Sequence, residues 1–119
     1  MRGNYILDKW GRPKRCNDIL QFAAWFETAD RSVEYTEITR KVHVATSFLG
    51  IDHNFMNEGK PVLWETMIFG GPYNDWTKRY TSEADARKGH KEAVKLARGR
   101  ISEKKKPELP KAVLKAKRG

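Results

Sequence analysis

Lys41-Val42-His43-Val44-Ala45-Thr46-Ser47-Phe48-Leu49 and Val62-Leu63-Trp64-Glu65-Thr66-Met67-Ile68-Phe69 are the two stretches that decide the fold of this chain. The first alternates two sets of side chains with the period of two residues that marks a β-strand. The second is strongly apolar and is followed by Gly70, Gly71 and Pro72, which are strong turn formers. Because no helical pattern separates the two stretches, we predict that they pair as antiparallel strands.

The flanking sequence predicts further strands and two helices around this pair. A short strand at 5–7 is followed by a basic loop that contains Lys9, Arg12 and Arg15. Other predicted elements are a helix from Asn17 or Asp18 to Ala29, strands at 32–37 and 76–80, and a helix from Thr81 or Ser82 that Gly99 ends. The expected fold class is α+β, an antiparallel sheet of three to five strands with two helices packed on one face.

Both helices carry an apolar face at helical spacing. In the first, Ile19, Phe22, Ala23 and Phe26 predict a helix docked deeply on the sheet. The inner face of the second is made mostly of small residues, so this helix can lie close to the sheet: Ala86, Gly89, His90, Ala93, Leu96 and Ala97.

The net charge of +9 is concentrated at the C-terminal end. Residues 99–119 carry eight basic and two acidic side chains, a net +6, which leaves +3 for the other 98 residues. We predict a single domain at 1–98 and a basic, flexible tail at 99–119. Such a tail attracts polyanions without sequence preference, although it can equally be a solubilising end. The tail residues expected to contact a polyanion are Lys104, Lys105, Lys106, Lys115, Lys117 and Arg118.

Composition excludes several classes of protein. The single cysteine, Cys16, rules out an internal disulfide framework and a multi-cysteine zinc site, and it fits a reducing compartment. No apolar run approaches the roughly 20 residues that cross a membrane, and the first residues lack the apolar stretch of a secretion signal. We therefore expect a cytoplasmic protein without a membrane partner.

The sequence contains no recognisable catalytic motif. It has no phosphate-binding loop, no G-x-G-x-x-G, no H-E-x-x-H and no G-x-S-x-G. Among His43, His53 and His90, only His53 has an adjacent carboxylate, Asp52, and this pair lacks the usual spacing of metal ligands. We predict no metal, no cofactor and no catalytic residue, which favours a binding protein over an enzyme.

A hairpin closed across Leu49 and Val62 would place Glu65 opposite Thr46 on the helix-covered face. A carboxylate in that position needs hydrogen-bond donors, which predicts a buried polar network of Thr46, Glu65 and His90. The same pairing exposes Trp64 and Ile68 on the other face, as a surface for a homodimer or a partner protein.

Aromatic and basic residues elsewhere suggest an anionic, phosphorylated ligand. Aromatic side chains beside Arg or Lys suit bases and phosphates, and long loops such as 50–61 are often functional. The predicted ligand-binding residues are Asp52, His53 and Phe55 in the loop, Lys78, Arg79 and Tyr80 in the last strand, and Arg87 and Lys91 in the second helix.

Scattered blocks between Tyr5 and Ala97 also match a known pattern. The blocks are Tyr5 to Asp8, Trp25 to Glu27, Val44 to Phe55, Glu65 to Gly71, Arg79 to Thr81, Glu83 with Ala84, and Gly89 with His90. Together they resemble a family of small uncharacterised proteins encoded by bacteriophages and prophages. The resemblance implies a phage origin and the cytoplasm of a bacterial host, and it carries over no catalytic residue.

Three functions remain open from the sequence. The leading hypothesis is a non-enzymatic phage accessory protein that binds a phosphorylated ligand, with nucleic acid favoured over a small nucleotide. The alternatives are an inhibitor that binds a host defence or machinery protein, and a small hydrolase that uses Glu65 or His53.

Overall fold

The computed structural model describes residues 3–56 and 58–102, with side chains as far as residue 99. The elements are β1 (Tyr5–Leu7), β2 (Pro13–Arg15), α1 (Ile19–Thr28), β3 (Ser32–Thr39), β4 (Val42–Phe48), β5 (Trp64–Phe69), β6 (Thr77–Tyr80) and α2 (Glu83–Ser102). β3, β4, β5 and β6 form one antiparallel sheet in chain order, and β1 and β2 form a separate hairpin. The predicted α+β class is therefore confirmed. The predicted tail contacts lie outside the described residues.

One face of the four-stranded sheet packs against the helices. In β4 the side chains alternate between buried and half-buried, as the sequence pattern predicts. Val44 and Ile68 form one core cluster with Ala93 and Ala97 of α2. Phe48 and Trp64 form a second cluster. Trp25 of α1 packs against it, with 6.0 Å between the ring centroids of Trp25 and Phe48.

α2 lies close to the sheet because its inner face is made of small residues. Ala86, Ala93 and Ala97 are buried, as predicted. Tyr80 packs over Gly89 so closely that a Cβ at position 89 would lie 2.7 Å from Cε1 of the tyrosine ring. The helix does not end at Gly99 but continues to Ser102, so the predicted stop is wrong. Gly99 lacks the positive φ of a glycine that ends a helix, and it is an ordinary helical residue.

α1 begins at the predicted cap but packs differently from the prediction. The carboxylate of Asp18 accepts hydrogen bonds from the backbone amides of Leu20 and Gln21 at 3.0 and 3.2 Å. Phe22 is buried, whereas Ile19 is 63% exposed. The apolar stripe is not docked along its length because α1 contacts β1 and the end of β4 and does not lie across the sheet.

The predicted basic loop after β1 contains a second strand. Its tight turn is held by Asp8, whose carboxylate accepts from the backbone amides of Trp10 and Arg12 at 2.9 and 2.8 Å. The hydrogen bond from the Arg12 amide, with the others around it, lowers the pKa of Asp8. The extra strand forms because this turn brings residues 13–15 back beside β1.

The pairing of β4 with β5 differs from the prediction by one residue. Thr46 lies opposite Thr66, and Phe48 opposite Trp64. The connection between the strands sets this register, because the Leu49 amide donates to the Leu63 carbonyl at 2.7 Å. A shift of one residue exchanges the two faces of a strand. Consequently Trp64, Thr66 and Ile68 face the helices, while Glu65, Met67 and Phe69 face away from them.

Candidate nucleic-acid interface

The second face of the sheet carries a row of neighbouring rings across three adjacent strands. Tyr35 on β3 lies 5.1 Å from His43 on β4, and His43 lies 4.8 Å from Phe69 on β5, measured between ring centroids. The planes of His43 and Phe69 differ by only 17°, so these rings are stacked. Tyr35 is 57% exposed and Phe69 is 36% exposed. In the part of the chain that the structure describes, no helix covers this row, which we call the aromatic row.

Beyond the aromatic row, the same face holds smaller and charged side chains. Ala45 and Met67 lie opposite each other, followed by Ser47 opposite Glu65. Glu65 accepts a hydrogen bond from Nε of Arg79 on β6 at 2.9 Å. The predicted position of Glu65 in a buried polar network is therefore wrong, because the register places its carboxylate on the uncovered face beside an arginine.

The helix-covered face contains a buried polar chain centred on His90. Its Nε2 is 2.9 Å from the hydroxyl of Thr36, and its Nδ1 is 2.8 Å from the hydroxyl of Thr46. Thr46 in turn lies 2.6 Å from the hydroxyl of Thr66. A neutral imidazole donates through one nitrogen and accepts through the other, so both hydroxyls are satisfied.

Burial lowers the pKa of His90, and the nearby Arg87 acts in the same direction, against the opposing effect of Glu34. Thr46 and His90 belong to the predicted network, whereas Thr36 and Thr66 were missed. Only the correct register could have identified Thr66, since it lies opposite Thr46.

An open groove of about 590 Å³ runs between β3 and α2, on the helix side of the sheet. His90 lies at the groove, and Glu34 and Thr36 supply the β3 wall. The α2 wall is lined by Lys91, Val94, Lys95, Arg98 and Gly99. Arg87 reaches Glu34 at 4.0 Å, and it pairs more closely with Glu83 at 2.9 Å. Two of the predicted ligand residues, Arg87 and Lys91, therefore lie at or beside this groove.

The predicted ligand residues of the long loop have largely internal roles. Asp52 is buried, and its carboxylate accepts from the backbone amides of Asn54 and Val62, both at 2.8 Å. Nδ1 of His53 lies 2.7 Å from the carbonyl of Ile51. Phe55 is exposed and its ring lies 5.7 Å from that of His53. A ligand role for Asp52 is inconsistent with its burial, because its carboxylate holds the two ends of the loop together.

The three predicted residues of β6 do not form one surface. Alternation along the strand places Arg79 on the uncovered face and Lys78 and Tyr80 on the helix side. Tyr80 is buried, and this burial raises the pKa of its phenol. It therefore cannot stack on a ligand, which corrects the prediction.

The predicted partner surface around Trp64 and Ile68 is also wrong. Both side chains are buried beneath the helices, at 4% and 0% exposure. Among residues 3–56 and 58–102 no helix covers the second sheet face, and the β5 residues on it are those one position further along the strand. The residues of the aromatic row, Tyr35, His43 and Phe69, were not identified as a group by the sequence, because they come from three strands.

Among residues 3–56 and 58–102, no three His, Cys, Asp or Glu side chains are grouped to hold a metal ion. Within these ranges there is also no helix with the length and apolarity needed to cross a bilayer. Protein-family models, curated proteins and solved structures were compared with the chain, and none of the three comparisons finds a match.

Proposed function

We propose that this protein binds single-stranded nucleic acid, with bases stacked on the aromatic row. The observation that carries the proposal is the row of Tyr35, His43 and Phe69 across three strands, on a sheet face that no helix of the described chain covers. The exposed rings at the two ends of the row, Tyr35 and Phe69, can each offer an outer π-face to an unpaired base, and a base stacked on an aromatic side chain contributes about 1–3 kcal/mol. Bases within a duplex are already stacked on each other, so the row favours a single strand.

The charge of the chain supports the same proposal. A net charge of +9 attracts polyanions, and most of it follows the folded domain in sequence. In the phage setting that the sequence resemblance implies, the protein would be an accessory factor that acts on phage or host nucleic acid. A nucleic acid is favoured over an acidic protein because it can use both features of this chain. Its bases can stack on the aromatic rings, and its phosphates are attracted by the positive charge.

The test is a titration of fluorescently labelled oligonucleotides into the full chain, read by anisotropy. Single-stranded RNA and DNA of 12 nucleotides and the matching duplex would be compared in about 50 mM salt, where electrostatic binding is strong. We expect the single strands to bind more tightly than the duplex. Tyr35→Ala and Phe69→Ala should each weaken binding about 5- to 150-fold, as expected for the loss of about 1–3 kcal/mol of stacking.

The matched control is Leu20→Ala, since Leu20 is a large apolar side chain on α1 that is 78% exposed. This variant should bind like the unmodified chain. A second control changes Lys104, Lys105 and Lys106 to Gln, which lowers affinity by charge alone. The absence of binding by the full chain at low salt would rule out the proposal. If binding is unchanged in Tyr35→Ala and Phe69→Ala but is lost when the three lysines are changed to Gln, the tail and not the aromatic row binds the nucleic acid.

A further inference from the structure

We infer that the groove between β3 and α2 holds phosphates of the same strand whose bases stack on the aromatic row. This inference rests on the proposed function and adds a second half to the site. The bases would lie on the uncovered face, and the backbone would pass over the edge of the sheet into the groove.

The geometry of β3 brings the two halves together. β3 is an edge strand of the four-stranded sheet, so no further strand of the described chain lies beyond it. Tyr35 points to the uncovered face, whereas its neighbours Glu34 and Thr36 line the groove on the other side. Neighbouring strands are about 5 Å apart, so a ligand that crosses this edge has only one strand width to pass.

The α2 wall of the groove presents a line of positive charge. Lys91, Lys95 and Arg98 are spaced by four and three residues, which places them on one side of the helix. All three line the groove. Within the described side chains, neither Lys91 nor Lys95 forms an ion pair with a carboxylate. Ammonium groups on flexible stems suit phosphate oxygens, and such contacts position a nucleic acid without reading its sequence.

One carboxylate opposes the phosphates. Glu34 lines the β3 wall of the groove, and its nearest cation, Arg87, is 4.0 Å away and pairs more closely with Glu83. Its negative charge should weaken the binding of any anion in the groove. This carboxylate therefore provides a test in which the expected result is a gain of affinity.

The same helix also supplies a matched control. Lys88 lines a separate cleft on the β6 side of α2, together with Lys78, Tyr80 and Glu92. Lys88 and Lys91 are both exposed and lie less than one helical turn apart, so the main difference between them is which of the two depressions each one lines. If nucleic acid were attracted to α2 in general, Lys88 and Lys91 would contribute equally to binding. If its phosphates lie in the groove, only Lys91 contributes.

The experiment measures the salt dependence of binding of the labelled 12-nucleotide single strand to the full chain. Each phosphate contact on a single strand contributes about 0.7 to the slope of log K against log salt concentration. The double variant Lys91→Gln/Lys95→Gln should therefore reduce the slope by about 1.4. Between about 50 and 200 mM salt, the unmodified chain would then lose about sevenfold more affinity than the variant. Lys88→Gln should leave the slope unchanged, and Tyr35→Ala should lower affinity at every salt concentration without changing the slope.

Glu34→Gln should strengthen binding about two- to fivefold at low salt, because it removes a like charge beside the phosphates. The inference is overturned if the groove double variant behaves like Lys88→Gln, and the proposed function then still stands on Tyr35→Ala and Phe69→Ala. If the lysine variants weaken binding while the two aromatic variants do not, both the proposed function and the inference fail, and binding is due to charge alone. The substituted lysines and Glu34 lie at the surface or the groove, so circular dichroism should show folded variants in each case.

Discussion

Replacing Gly89 by alanine tests how closely α2 lies on the sheet. In the interior of a helix, alanine is more stable than glycine by about 1 kcal/mol, so the substitution would ordinarily stabilise the protein. At position 89, however, the new Cβ would lie 2.7 Å from Cε1 of Tyr80 and still closer to its hydroxyl oxygen. Overpacking of this kind costs about 1–3 kcal/mol. The net effect of Gly89→Ala should therefore be a loss of up to about 2 kcal/mol.

Gly99→Ala is the matched control in the same helix. A Cβ at position 99 meets no atom within 4 Å, so only the helix preference remains and the variant should gain up to about 1 kcal/mol. The two variants should thus differ by about 1–3 kcal/mol, which is the cost of overpacking alone. In a domain of this size, 1 kcal/mol shifts Tm by about 4–8 °C, so thermal unfolding followed by circular dichroism resolves the difference.

A third variant identifies the neighbour responsible. In a Tyr80→Leu background, the far edge of the ring is absent, and Gly89→Ala should change from destabilising to stabilising. Equal rises in Tm for Gly89→Ala and Gly99→Ala in the unmodified background would refute the close packing of Tyr80 on α2.

Three further predictions concern the register, the buried histidine and the exposed ion pair. Ile68→Ala should lower the free energy of unfolding by about 2–5 kcal/mol and Phe69→Ala by about 1 kcal/mol or less, as measured by urea unfolding. A larger loss for Phe69→Ala than for Ile68→Ala would indicate the register shifted by one residue. Because burial lowers the pKa of His90, the unfolded chain takes up this proton first, so the free energy of unfolding should fall as the pH drops below the ordinary value of 6.5. The free energy of unfolding should change by at most about 1.4 kcal/mol per pH unit, and the change should level off below the lowered pKa. Urea titrations at several pH values measure this dependence, and His90→Gln should reduce it. Glu65→Gln should change stability by less than about 1 kcal/mol, since its partner Arg79 is 46% exposed, and a larger loss would contradict the surface position of the pair.

Local signals in the sequence were sufficient for much of the fold. The Asp18 cap, the alternation along β4 and the small residues on the inner face of α2 were each predicted from spacing within one element. Such patterns depend on contacts between near neighbours in the chain, so they can be read without knowing how the elements pair.

The candidate site could not be predicted in the same way. The stretch 62–69 is apolar in both alternating sets, with Leu63, Met67 and Phe69 in one and Trp64 and Ile68 in the other, so hydrophobicity did not decide which set is buried. The aromatic row depends on the pairing of three strands, and an error of one residue removes Phe69 from it. The expectation that no helix covers one sheet face does not depend on this register, because it follows from the number of helices in the sequence pattern.

The buried chain of Thr36, His90, Thr46 and Thr66 has a consequence for which of the two registers the protein populates. In the shifted register, Thr66 would leave the interior and the carboxylate of Glu65 would enter it opposite Thr46. Thr46 would keep its hydrogen bond to His90, but a buried carboxylate that is incompletely paired costs several kcal/mol. Since each 1.4 kcal/mol is a factor of ten in population, a difference of about 3 kcal/mol would already hold the shifted form below about 1%. The Thr46–Thr66 hydrogen bond and the exclusion of the Glu65 carboxylate from the interior thus both favour the observed register of two strands.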